Sequence, residues 1–185
     1  MVFYGGKFLV LGLSKSGIAA TTLLLSHGAT VYIYDQFVSA RVKSAEEDLS
    51  KAGAICVRKE NLDRTLMAID TLVLSPGIAI DNSIAVRAHV LKKRIIGELE
   101  LGSYFLQAPA IAVTGTNGKT TTVCMIESIL KCAEKETLAL GNVGVPLCKK
   151  VESLSRRGVA VIEVSSFQME TTRTFLPHIA CLTNI

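Results

Sequence analysis

The stretch VTGTNGKTTT, from Val113 to Thr122, is the strongest fold signal in the chain. It contains Gly118-Lys119-Thr120, the end of the phosphate-binding pattern G-x-x-x-x-G-K-[ST]. However, Val113 stands where that pattern begins with glycine, and Gly115 is an additional glycine. An apolar β-branched run precedes the stretch and a helical pattern follows it. Such turns aim backbone N–H groups at anions, and a helix N-terminus favours negative charge. The sequence therefore predicts a phosphate-binding loop despite the altered spelling.

Two side chains in this loop have specific expected roles toward a nucleotide. Lys119 is predicted to reach the β- and γ-phosphates, and the Thr120 hydroxyl is predicted to bind Mg²⁺. The alternative interpretation is a Gly/Asn turn followed by a threonine-capped helix with an exposed lysine. Because glycine, lysine and threonine coincide at a strand-to-helix junction, the sequence favours phosphate binding.

Around the loop, short β-branched runs alternate with helical patterns, which predicts an α/β fold built on parallel sheets. The predicted strands are 8–13, 30–35, 54–59, 70–75, 94–98, 110–115, 136–142, 158–165 and 178–185. Helical patterns occupy 16–28, 83–93, 119–133 and 167–174. The pattern restarts after Gln107-Ala108-Pro109, so we expect two domains, over 1–108 and over 109–185.

Composition excludes several classes of protein. The chain has 185 residues, 49% of them apolar, enough to bury a core, and its net charge of +4 is dispersed rather than gathered into a nucleic-acid surface. No run approaches the roughly 20 apolar residues of a membrane helix. The widely spaced cysteines are interpreted as buried small hydrophobes of a reduced, cytoplasmic protein; they are Cys56, Cys124, Cys132, Cys148 and Cys181.

A second glycine loop, Gly12 to Gly17, follows the first predicted strand and opens a helix. It has the place of a dinucleotide fingerprint, G-x-G-x-x-G, but Ser14 replaces the middle glycine. Asp35 ends the second predicted strand, at a suitable distance to contact a ribose or a base. Two interpretations remain open: a loop that contacts some nucleotide, and glycines that serve only a tight turn and close packing.

Taken together, VTGTNGKTTT, GNVGVP (141–146) and EVSSFQME (163–170) resemble the ATP-binding core of the Mur ligases, which join an amino acid to a UDP-linked muramoyl carboxylate. The shortened T-G-T-N-G-K-[ST] spelling is the expected form of the ATP loop in that family. GLSKSG, LSPGI (74–78) and TNI add to the resemblance, which spans essentially all 185 residues. It is strongest to the branch that adds D-glutamate to UDP-N-acetylmuramoyl-L-alanine.

The resemblance implies that the first domain is Rossmann-like and the second P-loop ATPase-like, and that the first holds the UDP part of the substrate rather than NAD. The implied contacts to diphosphate, uracil and nucleotide are Lys15, Ser16, Asp35 and Gly77. The family follows the acidic residue with Thr-Arg, whereas this chain has Gln36 and Phe37. The basic phosphate contact expected there is therefore missing, and Lys15 or Arg41 is the candidate substitute.

In the second domain the resemblance implies an ATP site formed by Gly115, Thr116, Asn117, Gly118, Lys119, Thr120 and Thr121. Lys119 and Glu163 are the implied catalytic residues, and Thr120 and Glu163 the implied Mg²⁺ ligands. Asn142 and Gln168 resemble residues that position the muramoyl-alanine end, and Ser165 supports the phosphate region. Each also has a structural alternative: Glu163 as an exposed lysine partner, Asn142 as a turn residue, Ser165 as a helix cap.

The implied reaction is ATP-driven amide formation through an acyl phosphate, in peptidoglycan synthesis, by a cytoplasmic enzyme that is monomeric when intact. The sequence stops at TNI, before the segments that in the family supply a second-metal histidine and a carbamylated lysine, and before the domain that binds D-glutamate. We therefore expect an N-terminal part of a ligase that is inactive alone. Other Mur ligases, NAD-dependent oxidoreductases, P-loop kinases or GTPases, and non-catalytic nucleotide-binding modules remain open alternatives.

Overall fold

The computed structural model describes residues 3–142 and 144–185, and within them nine strands and eight α-helices form two compact units. The first unit is Met1–Glu98 and the second is Leu99–Ile185. Each unit contains one sheet whose described strands all pair in parallel. The predicted fold class, two parallel-sheet α/β domains, is confirmed.

The first unit has a five-stranded sheet in the order β3-β2-β1-β4-β5. Its strands are β1 (Lys7–Leu11), β2 (Thr30–Tyr34), β3 (Ile55–Cys56), β4 (Thr71–Leu74) and β5 (Arg94–Gly97). Its helices are α1 (Lys15–Ser26), α2 (Ala40–Lys51), α3 (Leu62–Ala68) and α4 (Ser83–Val90). The central strands β1 and β4 are almost wholly apolar because helices cover both faces of a parallel sheet. The loops after β1, β2 and β4 consequently lie along one edge.

The second unit has a four-stranded sheet in the order β7-β8-β6-β9. Its strands are β6 (Ala110–Thr114), β7 (Thr137–Gly141), β8 (Val159–Glu163) and β9 (Ile179–Leu182). The helices are α5, which begins at the division between the units (Glu98–Ser103), α6 (Lys119–Cys132), α7 (Leu147–Lys150) and α8 (Ser166–Glu170). A core of Val113, Val123 and Val161 joins α6 to the two central strands, β6 and β8. This packing fixes the start of α6 beside the end of β8.

All nine predicted strands are present, each somewhat shorter than expected, and two of them, β3 and β9, lose at least half of their predicted length. The edge strand β3 keeps two residues of the predicted 54–59 before a 3-10 helix begins at Lys59. The last strand ends at Leu182 rather than at residue 185. Thr183 and Asn184 instead contact residues 115–118, the loop between β6 and α6 that is called the phosphate loop below. The helix predicted over 167–174 ends at Glu170, and the backbone N–H groups of residues 173–175 bond to the buried Glu100 carboxylate instead of to helical carbonyls.

The division between the units falls earlier than the boundary expected near residue 108. Leu99 and Leu101 of α5 are buried. Gly102 lies against the Leu147 side chain, where an added Cβ would approach Leu147 Cγ to 2.7 Å. The residues between β5 and β6 therefore pack with the second unit, although the proline and the renewed strand pattern come after them.

The described cysteines are free, and the prediction that they are buried holds only for Cys148. Cys56 and Cys181 are half-buried, and Cys124 and Cys132 are exposed. Both lie on α6, whose inward face carries Val123. A helix turns by about 100° per residue, so Cys124 and Cys132 lie on the face that meets solvent. Among the residues the structure describes, none of the helices is long and apolar enough to cross a bilayer.

Candidate functional site

The phosphate loop joins β6 to α6 through two glycines in left-handed conformations. Gly115 has φ 134° and Gly118, which immediately precedes α6, has φ 81°. Side chains strongly disfavour this region of φ, so the path of the loop requires glycine at both positions. Because α6 begins at Lys119, the N–H groups of its first turn have no preceding helical carbonyl and are free to bind an anion.

The ammonium of Lys119 lies over this loop. Its Nζ donates to the carbonyl oxygens of Gly115 at 2.7 Å and Thr116 at 2.9 Å. These contacts place a positive charge beside the helix N-terminus, where both the charge and the helix dipole favour a negatively charged ligand. The exposed-lysine alternative is not what the structure shows, because the side chain is bound back onto the loop.

Thr120 and Glu163 are in direct contact. The Thr120 hydroxyl donates to Glu163 Oε2 at 2.7 Å, and the amide of Asn142 donates to Glu163 Oε1 at 3.3 Å. Glu163 is only 2% exposed, so it is not a surface partner of a lysine. It ends β8, which pairs with β6 on one side and β7 on the other. Because the three strands run parallel, the ends of β6, β7 and β8 lie together beside the Glu163 carboxylate.

Asn142 reaches this carboxylate because β7 ends very close to β8. The Asn142 backbone N–H donates to the Glu163 carbonyl oxygen at 3.0 Å. Gly141 has φ 112°, and a side chain there would overlap the same carbonyl oxygen. The first glycine of GNVGVP therefore permits a close approach of two strands; Val143 of that motif lies outside the described residues.

Ser165 and Gln168 form a capping box at the start of α8. Ser165 Oγ accepts from the Gln168 backbone N–H, and Gln168 Oε1 accepts from the Ser165 backbone N–H at 2.9 Å. The helix-cap alternative for Ser165 thus describes its observed contacts. Gln168 is 4% exposed, and its Nε2 is buried with no hydrogen-bond partner among the described residues. An unpaired buried donor of this kind indicates a place for an acceptor from a ligand or from water.

In the first unit, Asp35 connects two loops. Its Oδ2 accepts from the Leu13 backbone N–H at 2.7 Å, and its Oδ1 accepts from the Phe37 N–H at 2.9 Å. Both carboxylate oxygens therefore hold backbone in place, at the edge of the sheet where β1 and β2 end. Sequence reasoning assigned Asp35 a ligand contact and did not find this structural role.

The other expected contacts of the first unit lie along the same edge. Lys15 is exposed and Ser16 is half-buried at the start of α1. Gly77 is exposed after β4, and a Cβ added to it would meet no heavy atom within 4 Å. The Ser75 hydroxyl donates to the Gly12 carbonyl oxygen at 2.7 Å, which ties the end of β4 to the end of β1. No hydrogen bond among the described residues joins Lys15, Ser16 and Gly77 to one another.

Glu100, which sequence reasoning missed, is a fully buried carboxylate in the second unit. It accepts from the backbone N–H groups of Arg173, Thr174 and Phe175 at 3.0–3.1 Å, and from the hydroxyls of Thr174 and Tyr104. Burial raises the pKa of Glu100, but the hydrogen bonds from Thr174, Tyr104 and Arg173 outweigh it and lower the pKa to about 2. Glu100 is therefore an ionised anchor for the segment that follows α8.

The matching family models and the curated relatives agree on one family. Residues 113–185 match the family described as Mur ligase middle domain, and residues 6–97 match the family described as Mur ligase MurD-like, N-terminal domain. Among curated proteins, the UDP-N-acetylmuramoylalanine--D-glutamate ligase of Desulfosudis oleivorans is 38% identical over 97% of this chain and 39% of its own length. The ligase of the same name from Citrifermentans bemidjiense is 37% identical over 97% of this chain and 40% of its length.

The chain thus spans about two fifths of the length of these curated relatives. Among solved structures, the UDP-N-acetylmuramate:L-alanyl-gamma-D-glutamyl-meso-diaminopimelate ligase of Neisseria meningitides superposes with a TM-score of 0.58 at 21% identity, covering 97% of this chain and 60% of that one. A murein peptide ligase of Psychrobacter arcticus also gives 0.58, at 20% identity, covering 95% of this chain and 42% of that one. At these identities the structures support the fold alone.

Proposed function

The chain belongs to the Mur ligase family, and from that premise we propose that it supplies the nucleotide-binding parts of an ATP-dependent ligase. The reaction would join D-glutamate to UDP-N-acetylmuramoyl-L-alanine, in peptidoglycan synthesis in the cytoplasm. The relatives that carry this name support the choice of substrates. The observation that carries the proposal is the contact of Thr120 with Glu163 directly beside the phosphate loop.

The residues present fit a magnesium ion. Mg²⁺ prefers oxygen ligands, is commonly held by one or two protein groups, and completes its coordination with water and phosphate oxygens. The Thr120 hydroxyl and the Glu163 carboxylate supply two such oxygens, already 2.7 Å apart. Residues 3–142 and 144–185 contain no group of three or more His, Cys, Asp or Glu that could hold a metal. A bound magnesium ion would neutralise negative charge on the phosphates.

Lys119 and the first turn of α6 would bind the phosphates of ATP. The backbone N–H groups after Gly118, at the start of α6, would donate to phosphate oxygens. Lys119 would exchange its two bonds to loop carbonyls for phosphate oxygens, a stronger, charge-assisted contact. With Gly115, Thr116, Asn117 and Thr121 completing the loop, we assign the ATP site to residues 115–121.

The chemistry proceeds in two displacements. A carboxylate oxygen of the UDP-linked substrate attacks the γ-phosphorus of ATP, and the bond to ADP breaks. The amine nitrogen of D-glutamate then attacks the acyl carbon, the phosphate leaves with its electron pair, and the amine loses a proton. Asn142 and Gln168 would position the carboxylate end, and the unpaired buried Nε2 of Gln168 supports this assignment because it can donate to a substrate oxygen.

The first unit would hold the UDP part of the substrate. The loops after β1, β2 and β4 share one sheet edge, which is where parallel α/β sheets bind ligands. Lys15 and Ser16 at the start of α1 would contact the diphosphate, Asp35 would contact the uracil, and the open space above Gly77 would admit the nucleotide. Arg41, exposed in α2, is the other candidate for the basic phosphate contact.

A ligand panel tests the proposal. The melting temperature of the 185-residue chain is measured alone and with UDP-N-acetylmuramoyl-L-alanine, ATP with magnesium, NAD, or GTP. Binding to the native state raises the melting temperature, so we expect increases with the UDP-linked compound and with magnesium ATP. Stabilisation by NAD together with indifference to the UDP-linked compound would contradict the proposal in favour of an oxidoreductase. Stabilisation by GTP alone would favour a GTPase.

A further inference from the structure

Thr183 and Asn184, at the end of β9, contact the phosphate loop from the neighbouring strand. Asn184 Oδ1 accepts from the backbone N–H groups of Thr116 at 3.1 Å and Asn117 at 3.0 Å, while its Nδ2 donates to the Asn117 carbonyl oxygen at 3.1 Å. Both ends of one amide side chain are therefore bonded to the same short segment. This segment lies 67 and 68 positions away in the chain.

Thr183 adds a second attachment. Its hydroxyl lies 2.6 Å from the Asn117 carbonyl oxygen and 3.2 Å from that of Thr114, and its backbone N–H donates to the Thr114 carbonyl at 2.9 Å. The loop is thus attached at its beginning, where β6 ends, and again at Asn117. Backbone groups that a loop cannot pair with itself are here satisfied by the adjacent strand.

These contacts divide the loop into two halves. The N–H groups of Thr116 and Asn117 are bonded to Asn184 in the described structure, whereas those that follow Gly118 belong to the unpaired first turn of α6. The first half is held in place by a side chain, and the second half offers its donors to an anion. Fixing the backbone of the first half sets the direction in which the N–H groups of the second half point.

The same contacts explain Gly115, a glycine that the standard phosphate-loop pattern does not contain. A Cβ at Gly115 would overlap Thr183 Oγ1 and would lie 2.9 Å from the Asn184 carbonyl oxygen and 3.0 Å from its nitrogen. Together with the φ of 134°, this crowding excludes a side chain at that position. Gly115 therefore makes room for the end of β9 to cross the loop.

We infer that Asn184, assisted by Thr183, is a positioning residue for the phosphate loop. Gly115, the glycine that departs from the standard pattern, leaves the space that this attachment needs. The inference rests on the proposed function for its consequence, ATP binding, but the attachment itself is a property of the ligand-free chain. Asn184 sets the shape of the loop through hydrogen bonds to its backbone.

The test compares three variants of the 185-residue chain: Asn184→Ala, Asn184→Asp and, as a matched control, Ile185→Ala, whose side chain is fully exposed. Amide hydrogen exchange of Thr116 and Asn117 is followed by NMR without ligand, and the dissociation constant for magnesium ATP is measured by calorimetry. In Asn184→Ala we expect exchange at these two amides to rise by about tenfold, since one acceptor serves both. Amides within β6 should keep the wild-type rate.

The same variant should bind magnesium ATP about tenfold more weakly, because the loop must be ordered before it can bind. Asn184→Asp keeps the acceptor oxygens, so it should retain the protection of Thr116 and Asn117. It loses the donor to Asn117 and adds a negative charge beside the phosphates, so it should still bind ATP more weakly. Asn184→Asp should therefore keep slow amide exchange while its affinity for ATP falls. A residue that only stabilises the unit would not separate these two quantities.

Two results would overturn the inference: exchange in Asn184→Ala equal to that in Ile185→Ala, or an increase spread evenly over all amides of the second unit. If the wild-type chain binds no magnesium ATP, the proposed function fails. The exchange rates at Thr116 and Asn117 still decide whether Asn184 holds the loop. The two failures are therefore distinguishable in one set of samples.

Discussion

Lys119 has different partners in the structure and in the proposed reaction. Its ammonium is bonded to two carbonyl oxygens of its own loop, and phosphate binding would replace those partners with charged oxygens. The exchange costs little, because neutral acceptors are given up for anionic ones. The lysine can therefore contribute to affinity without being needed for the fold of the unit.

The first prediction follows from this exchange. Lys119→Ala should weaken magnesium ATP binding by roughly tenfold to a hundredfold, the range expected for loss of a charge-assisted hydrogen bond, with little change in melting temperature. Calorimetric titration at fixed salt measures the effect. The control is Lys135→Ala, which removes an exposed lysine of the same unit. Equal dissociation constants in the two variants would show that this loop does not bind the phosphates.

A second residue prediction compares two glycines of the first unit. A Cβ at Gly17 would overlap the Gly12 carbonyl oxygen, whereas a Cβ at Gly77 would meet no heavy atom within 4 Å. Gly17→Ala should therefore lower the melting temperature of the first unit by several degrees. Gly77→Ala should leave it unchanged and weaken binding of the UDP-linked substrate, since the methyl group would occupy space that the nucleotide needs.

Melting curves and calorimetry with UDP-N-acetylmuramoyl-L-alanine separate the two effects. Unchanged substrate affinity in a well-folded Gly77→Ala variant would remove Gly77 from the site. A loss of stability in that variant would show that glycine at 77 is required by the fold instead.

At the scale of elements, the segment after α8 depends on a single buried carboxylate. The pKa of Glu100 is lowered to about 2 from its ordinary value of 4.5, despite burial, by hydrogen bonds from Thr174, Tyr104 and Arg173. Because the folded-state pKa is the lower one, ionised Glu100 stabilises the fold above about pH 4.5, and this contribution is lost as the pH falls toward 2. The difference corresponds to roughly 3 kcal/mol near neutral pH.

Glu100→Gln should accordingly destabilise the second unit by roughly 3 kcal/mol at about pH 7, and by less than half of that at about pH 3. Urea unfolding followed by NMR signals of the second unit gives both values. Glu170→Gln, which changes an exposed glutamate of α8, is the matched control. A destabilisation that does not depend on pH would mean that the Glu100 charge is not what holds residues 173–175.

The periodic elements could be predicted from the sequence, whereas the polar anchors could not. Alternation of β-branched runs with helical patterns located all nine strands, and the loop motif together with Glu163 indicated residues that the structure does bring together. Most partners of Glu100 lie 73–75 positions away and those of Asn184 lie 67–68 positions away, so no short-range pattern in the sequence marks either pairing. A carboxylate or amide in such a place looks like a surface residue until the tertiary pairing is known.

At the scale of the whole molecule, the two units should respond to different ligands. Amide exchange of the 185-residue chain is compared with and without uridine diphosphate, and with and without magnesium ATP. Uridine diphosphate should protect the loops after β1, β2 and β4, and magnesium ATP should protect the first turn of α6 and the end of β8, because ligands slow the opening of the segments that bind them. Protection of the same unit by both ligands would contradict the proposal that each unit binds a different ligand.

The long separation between the phosphate loop and Asn184 also matters while the protein is being synthesised. The ribosome releases the loop residues first, and Asn184 follows 67 positions after Asn117. During that interval β6 has no β9 beside it, and the nascent loop lacks the amide that orders Thr116 and Asn117. Closing so large a separation is a late step in folding. We therefore expect a nascent chain to acquire affinity for ATP only once the end of β9 has emerged, which ribosome-bound chains stalled before and after Asn184 would reveal.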